Sequence, residues 1–328
     1  MLGPELRLGE VSAGRGARGL AGAMKEAVMA VRRAVEGYVP FRGYRTWYQV
    51  VGDLGAAGPV VPLLVAHGGP GFPHDYLGDL AQLGEAGRPV VFYDQLGCGK
   101  SDHPGDPGLW VMETFVEEMA AIRAALGLDR VHLLGHSWGG WLALEYALRK
   151  PAGLASLVLA STCASLPAFG AQTRRLKESL PGEIQEVLDR HEAAGTTGDP
   201  EYLEAALAYH RQWVCRLDPY PAHVLHSFLN FSDDVYQIMQ GPEWNVTGNL
   251  KDWDVTARLG EIGLPVLVTS GGYDEMTPAL VEPLVAGISG AEHAVFRDSA
   301  HLAMAEEPDR YRQVLGSFLD RVEAGKQA

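Results

Sequence analysis

The chain has 328 residues, of which 47% are hydrophobic and 21% charged, a balance that allows a large globular domain with a sizeable core. Its net charge of −14 argues against nucleic acid and anionic membranes as partners, because an acidic surface repels both. Three cysteines without a CxxC pair argue against a disulfide framework and a structural zinc site. With no long apolar run and no signal-peptide pattern, we expect a cytoplasmic protein.

Residues 1–37 differ from the rest, with a glycine- and arginine-rich stretch followed by helical periodicity, and we predict a partly disordered N-terminal extension. After it, short apolar runs rich in β-branched residues recur, as is typical of parallel strands covered on both faces. These runs are Val60–Ala66, Pro89–Tyr93, Val131–Leu134, Leu154–Ala160, Pro265–Thr269 and Ala294–Phe296.

Helical periodicity separates several of these runs, most clearly over Glu113–Leu126 and Gly139–Arg149. This alternation predicts an α/β fold with a mostly parallel, doubly wound sheet. It stops after the fourth run, and the following stretch is helical in character and rich in Trp and Tyr. We predict that residues 38–161 and 255–328 form the core and that residues 162–254 form an inserted helical cap.

A nucleophile elbow is indicated by Gly135-His136-Ser137-Trp138-Gly139, which follows one predicted strand and begins a predicted helix. The turn is too tight for side chains at both flanking positions, which explains the two glycines. It lifts the hydroxyl of Ser137 above the edge of the sheet. We therefore predict Ser137 as a nucleophile, which argues against hydrolases that place a carboxylate there.

Two further side chains follow predicted strands near the C-terminus, Asp274 after Pro265–Thr269 and His301 after Ala294–Phe296. The carboxyl ends of parallel strands meet at one edge of a sheet, so we expect these groups beside Ser137. A serine hydroxyl needs a base within hydrogen-bond reach. We predict His301 as the general base and Asp274 as the residue that orients it, in the chain order that α/β hydrolases use.

The glycine-rich loop His67–Gly71 follows the first predicted core strand. We predict that the backbone N–H groups of Gly69 and Trp138 form an oxyanion hole. The segment Asp94–Ser101 has the end of a phosphate-loop motif but lacks its first glycine, so we do not expect nucleotide binding.

From about residue 40 onward the chain resembles proline iminopeptidases, especially the subgroup that includes the archaeal tricorn-interacting aminopeptidase, and it is similar to related amino-acid amidases. The resemblance rests together on His67–Gly71, Tyr93–Ser101, Gly135–Gly140, Gly248–Asp254, Tyr273–Pro278 and Val295–Leu302. It implies an α/β-hydrolase fold with a helical cap and hydrolysis of the bond after an N-terminal residue, with proline preferred. It implies no metal or organic cofactor.

The resemblance also implies two glutamates that bind the free amine of the substrate. One follows the catalytic aspartate and corresponds to Glu275, and the other corresponds to Glu243 in a Gly-Pro-Glu segment that is one residue shorter than in the family. An N-terminal amine has a pKa of about 7.7–8.0 and is largely cationic near neutrality. A desolvated pair of carboxylates can anchor such a cation.

We therefore expect a serine aminopeptidase that forms an acyl-enzyme on Ser137. A rival interpretation is an amidase or esterase for a small amino-acid derivative, for example in a biosynthetic pathway. A non-catalytic receptor on the same fold is disfavoured by the complete triad. The expected partner is a small peptide or amino-acid amide, and the sequence leaves the oligomeric state open, with a monomer as one option.

Overall fold

The computed structural model describes residues 34–55 and 60–325. Within them, eight strands form one sheet: β1 (Val35–Phe41), β2 (Tyr44–Val51), β3 (Leu63–Ala66), β4 (Val90–Tyr93), β5 (Val131–His136), β6 (Leu154–Ala160), β7 (Val266–Gly271) and β8 (Glu292–Phe296). Their order is β1-β2-β4-β3-β5-β6-β7-β8. The β1–β2 and β2–β4 pairs are antiparallel and the others are parallel, which confirms the predicted fold class.

The described helices are α1 (Ala81–Glu85), α2 (Met112–Ala125), α3 (Trp138–Leu148), α4 (Leu166–Glu178), α5 (Gly182–Ala194), α6 (Pro200–Tyr209), α7 (Ala222–Leu229), α8 (Asp233–Met239), α9 (Pro278–Gly287), α10 (Ala303–Glu306) and α11 (Pro308–Glu323). Shorter helical segments are the 3₁₀ turns His74–Leu80, Pro107–Leu109 and Thr256–Glu261, and the π-helical turn His210–Val214. Among the described residues, no helix combines the length and apolar character that a membrane span requires.

Helices cover both faces of the central strands, which explains their uninterrupted apolar sequences. Neighbouring residues of a strand point to opposite faces, and β5 shows this clearly. Leu133 packs in the cluster that contains Phe115 of α2 and Trp141 of α3. Leu134 packs in the opposite cluster, which contains Leu315 of α11. The core therefore consists of two apolar layers with the sheet between them.

The first two strands form a hairpin that the sequence analysis did not predict. β1 begins at Val35, inside the segment that we assigned to an N-terminal extension, while residues 1–33 of that segment lie outside the described residues. Arg42 and Gly43 connect the strands with φ values of 47° and 86°, the left-handed conformations of a tight hairpin turn. The alternating burial of β1 matches an edge strand with one face in solvent.

Helices α4 to α8 lie between β6 and β7 and fall within the stretch that we predicted as a cap. Their apolar faces pack in a cluster that includes Leu188, Tyr209, Trp213 and Trp244. Local capping explains where two of these helices begin, because the hydroxyl of Ser165 accepts a hydrogen bond from Ala168 N and the carboxylate of Asp199 accepts one from Glu201 N. The cap therefore has an apolar core of its own.

Candidate active site

Ser137 occupies the sharp turn between β5 and α3, with φ of 55° and ψ of −121°. This conformation costs a residue with a side chain about 1–3 kcal/mol, which the surrounding packing must offset. A Cβ on Gly135 would lie 2.1 Å from the carbonyl oxygen of Gly139, and a Cβ on Gly139 would lie 2.2 Å from that of Ala66. The two flanking glycines are therefore required by direct backbone contacts.

The imidazole of His301 lies against the carboxylate of Asp274, with 2.8 Å between Nδ1 and Oδ1. Asp274 is buried and also accepts hydrogen bonds from the backbone N–H groups of Gly271 and Met276. An ionised carboxylate can only accept a hydrogen bond, so Nδ1 of His301 carries the proton that it donates to Asp274. Nε2 is then unprotonated and can accept a proton. This arrangement suits a general base.

Ser137 and His301 both line one large cavity beneath the cap. No hydrogen bond joins their side chains among the described residues, although hydrogen bonds of this kind often close only when substrate binds. The structure therefore brings the predicted carboxylate and imidazole into direct contact and places the predicted nucleophile at the same cavity.

The predicted oxyanion donors lie on two elements that meet at Ser137. Gly69 has φ of 112°, and the preceding residue, Gly68, approaches so closely that a Cβ there would lie 3.2 Å from Cβ of Ser137. Trp138 is the first residue of α3, where backbone N–H groups have no partner within the helix. Both N–H groups are therefore candidates to stabilise, by hydrogen bonding, a negative charge that develops next to Ser137.

A buried hydrogen-bond chain, which no sequence motif indicated, connects the loop His67–Gly71 (the oxyanion loop, after its predicted role) to the predicted general base His301. The N–H of Gly68 donates to the Tyr76 hydroxyl at 2.7 Å, and that oxygen lies 2.8 Å from Nδ1 of His136. Nε2 of His136 lies 3.0 Å from the carbonyl oxygen of His301, which can only accept. His136 is therefore protonated at Nε2 alone, and burial holds its pKa well below the usual range.

The segment Asp94–Ser101, which does not have a complete phosphate-loop motif, holds neighbouring parts of the site in place through Gln95. Nε1 of Trp138 donates to Oε1 of Gln95 at 2.7 Å, and Nε2 of Gln95 donates to the carbonyl oxygen of His67 at 3.1 Å. One amide side chain thus fixes the beginning of α3 relative to the oxyanion loop. No sequence motif indicates this role of Gln95.

Glu243 and Glu275 both line the cavity that contains Ser137. The Tyr209 hydroxyl donates to Glu275 at 3.0 Å, and the Tyr236 hydroxyl donates to Glu243. Burial raises the pKa of Glu275 to about 8, and the neighbouring charge of Glu243 contributes. Burial raises the pKa of Glu243 as well. The structure therefore brings together the two glutamates that the sequence analysis named, one from the cap and one from the core.

The electrostatic environment of His301 is dominated by carboxylates. Burial alone would lower the pKa of its imidazole, but Asp274 and Glu275 raise it to about 9. Oε1 of Glu275 lies 3.7 Å from Nε2 of His301, on the side of the ring opposite Asp274. The site is therefore rich in carboxylates, which stabilise a cation that enters it.

The cap contacts the loops that carry Glu275 and His301 through its backbone. The carbonyl oxygen of Trp213 accepts hydrogen bonds from the N–H groups of Glu275 and His301, each at 3.2 Å, and Leu302 N donates to the carbonyl of Val214 at 3.1 Å. Trp213 and Val214 belong to the π-helical turn His210–Val214. Such turns often occur at functional sites. A backbone contact does not depend on side-chain type, so no sequence pattern could have predicted it.

The cavity has a volume of about 940 Å³. Its inner part is polar and is lined by the buried Ser137, His301 and Glu275 and by the half-buried Glu243. Its remaining lining comes mainly from apolar side chains of the cap. Elsewhere, His191, Asp199 and Glu201 form the one described group with metal-ligand spacing, but two of them are exposed and Glu201 is already paired with Arg190.

Comparisons with known proteins match most of the chain. A family model described as the alpha/beta hydrolase fold matches residues 61–308. The chain is 42% identical over 289 residues to a proline iminopeptidase of Heyndrickxia coagulans, covering 88% of this chain and 99% of that protein. It is 39% identical over 290 residues to a proline iminopeptidase of Saccharolobus solfataricus, covering 88% and 93%.

Two crystal structures are similar over nearly their whole length. The structure of VinJ has a TM-score of 0.85 and 40% sequence identity, and the match covers 88% of this chain and 99% of that one. The structure of a proline iminopeptidase of Mycobacterium smegmatis has a TM-score of 0.81 and 40% identity, with 89% and 99% covered.

Proposed function

The chain belongs to the proline iminopeptidase family of α/β hydrolases, and from this premise we propose that it releases an N-terminal residue, preferably proline, from peptides through an acyl-enzyme on Ser137. The observation that carries this proposal is the carboxylate pair of the half-buried Glu243 and the buried Glu275, in the same cavity as Ser137 and His301. A hydrolase of simple esters has no need for two neighbouring carboxylates beside its nucleophile, whereas a hydrolase of free-amine substrates does.

The reaction begins when Nε2 of His301 takes the proton of the Ser137 hydroxyl, and the serine oxygen attacks the carbonyl carbon of the first residue. The N–H groups of Gly69 and Trp138 stabilise the oxyanion of the tetrahedral intermediate, each donor contributing about 10²–10³ in rate. His301 then gives its proton to the departing amine. Water, activated by the same imidazole, hydrolyses the ester on Ser137 and releases the free amino acid.

The carboxylate pair explains why the enzyme would act at a free N-terminus. Two neighbouring carboxylates repel each other when both are ionised, and the raised pKa of Glu275, about 8, means that the empty pair retains a proton near neutral pH. An ammonium group can replace that proton and allow both carboxylates to ionise. A blocked amine or an internal peptide bond offers no such charge, so those substrates bind weakly and are hydrolysed slowly.

The test compares prolyl-2-naphthylamide with its N-acetylated form on wild-type enzyme, Glu275→Gln and Glu243→Gln. We expect each variant to lose at least about 100-fold in kcat/KM on the free amine, since removing one partner of a buried charge pair costs about 3–5 kcal/mol. The small activity on the blocked substrate should change much less. Equal losses on both substrates would remove the proposed role of the pair.

Glu118→Gln is a matched control for these variants. Glu118 is also buried, burial raises its pKa to about 8, and it does not line the cavity. Turnover of esters alone, with no activity on prolyl amides or peptides, would instead support the rival function of an esterase on small amino-acid derivatives.

A further inference from the structure

We propose that the outer part of the cavity, between α6 and α7, is an apolar subsite for the leaving group, so that prolyl amides of large apolar amines are better substrates than prolyl peptides. The inference rests on the proposed function, because that function determines which end of the substrate reaches this subsite.

The first observation is where the apolar surface lies. Among the described residues, eleven large hydrophobic side chains are exposed, and five of them line this one cavity. They include Leu229, which is 74% exposed, and Leu203, which is 53% exposed. Exposed apolar side chains gathered at one place indicate a binding surface, whereas scattered ones do not. The cavity therefore opens to solvent through an apolar mouth formed by α6, α7 and the residues that follow α7.

The second observation is the direction in which a bound substrate must point. Its amine lies at Glu243 and Glu275, and its carbonyl carbon lies at Ser137, so the group beyond the scissile bond extends away from the carboxylates. Phe72, three residues after Gly69 of the oxyanion loop, stacks on Phe231 at 5.3 Å and meets Phe228 edge-on at 5.4 Å. A continuous apolar wall thus runs from the oxyanion loop to the mouth.

The third observation is the polarity of this wall. A peptide beyond the scissile bond carries N–H and C=O groups that lose free energy when they are buried without partners. The charged side chains that line this outer part, Arg211, Asp218 and Asp233, are all exposed to solvent and so belong to its rim. The volume of about 940 Å³ lies near the top of the range for sites that enclose a drug-sized ligand. An apolar chain fits this environment better than a peptide does.

The experiment uses L-proline amides of propylamine, hexylamine and decylamine, with prolinamide and prolyl-glycyl-glycine as references. We expect kcat/KM to rise with chain length, by up to about fourfold for each methylene that becomes buried. A value that stays flat or falls from propyl to decyl would overturn the subsite. If prolinamide and the peptide are not cleaved at all, the proposed function fails and the subsite with it. If both are cleaved without a gain from the alkyl chain, the subsite alone fails.

A double variant, Leu207→Gln with Leu229→Gln, tests the location. We expect the ratio of kcat/KM for the decylamide to that for prolinamide to fall at least about tenfold, because the apolar contact is lost. Leu54→Gln is the matched control, since Leu54 is 37% exposed, close to the 39% of Leu207, but lies away from the cavity. A ratio that does not change in the double variant, or that falls as much in the control, would overturn the assignment.

Discussion

Oε1 of Glu275 lies 3.7 Å from Nε2 of His301, so the carboxylate proposed to hold the substrate amine also faces the nitrogen proposed to take the proton. Substrate binding and proton transfer are therefore coupled electrostatically. A negative charge at Glu275 makes the imidazolium more favourable and raises the pKa of His301, whereas a bound ammonium offsets that charge. The free amine thus helps to return the base to its neutral, active form.

This coupling predicts a shift in the pH profile of Glu275→Gln. The general base must be deprotonated, so kcat/KM rises as the pH passes the pKa of His301, which is about 9 in the free site. Glu275 is ionised in that pH range because its own pKa is about 8. Removing its charge lowers the pKa of His301, and the rising limb should move to lower pH by about one unit or more.

The profile is measured with 4-nitrophenyl acetate, which carries no amine and therefore does not report the loss of amine binding. If the rising limb of the kcat/KM profile of Glu275→Gln stayed at the wild-type pH, or moved to higher pH, the coupling would be contradicted.

Asp274→Asn should lower kcat by about 10⁴, because an amide in place of the carboxylate favours the wrong tautomer of His301 and cannot stabilise the imidazolium. The variant is measured on prolinamide at saturating concentration. Its melting temperature is recorded in parallel, because Asp274 also accepts the N–H groups of Gly271 and Met276. Retention of more than a tenth of the wild-type kcat would argue against the role of Asp274.

Ser137→Gly should be inactive and more stable than Ser137→Ala. Both variants remove the hydroxyl, but only glycine relieves the unfavourable φ of 55° and ψ of −121° at the elbow. We expect a difference in the free energy of unfolding of about 1–2 kcal/mol, measured by urea denaturation. If alanine were equally stable, the turn would store no strain, and the sharp backbone geometry would need another explanation.

Tyr76→Phe should lower kcat about tenfold or more while leaving the triad chemically intact. The hydroxyl of Tyr76 joins Gly68 of the oxyanion loop to His136, which in turn holds the backbone of His301. Without it the Gly68 N–H is buried and unpaired, which costs about 1–3 kcal/mol of stability and allows the loop to shift.

Tyr311→Phe is the matched control for this variant, since Tyr311 is also buried and its hydroxyl lies 3.0 Å from Thr269 Oγ1, outside the cavity lining. It should lose stability without a comparable loss of kcat. A similar fall of kcat in both variants would show that Tyr76 acts through general stability alone.

The sequence predicted the parallel core well because its strands are buried on both faces, and such runs as Leu154–Ala160 leave little ambiguity. The assignment to proline iminopeptidases, drawn from several motifs together, is confirmed by relatives that are 42% and 39% identical. The hairpin of β1 and β2 was not predicted. β1 lies at the sheet edge with alternating burial, and its first residues continue a segment of different composition.

The candidate site also contains residues that the sequence could predict and residues that it could not. Ser137, Asp274 and His301 could be named because each follows a strand of the sheet, and the sheet determines where strand ends meet. The positions of Glu243 and Trp213 depend on how the cap packs, which no local pattern encodes. Gln95 and Tyr76 act through hydrogen bonds to residues distant in sequence, so only the assembled structure reveals them.

The hydrogen bonds from Glu275 N and His301 N to the carbonyl of Trp213 restrict how substrates enter. If the cap swung away as one rigid lid, it would release the backbone of both residues and disturb the base together with the amine anchor. Admission and release should therefore proceed by side-chain movement at the periphery of α6 and α7, while the π-helical turn stays in place. Mutations that loosen this turn should thus impair chemistry before they improve access.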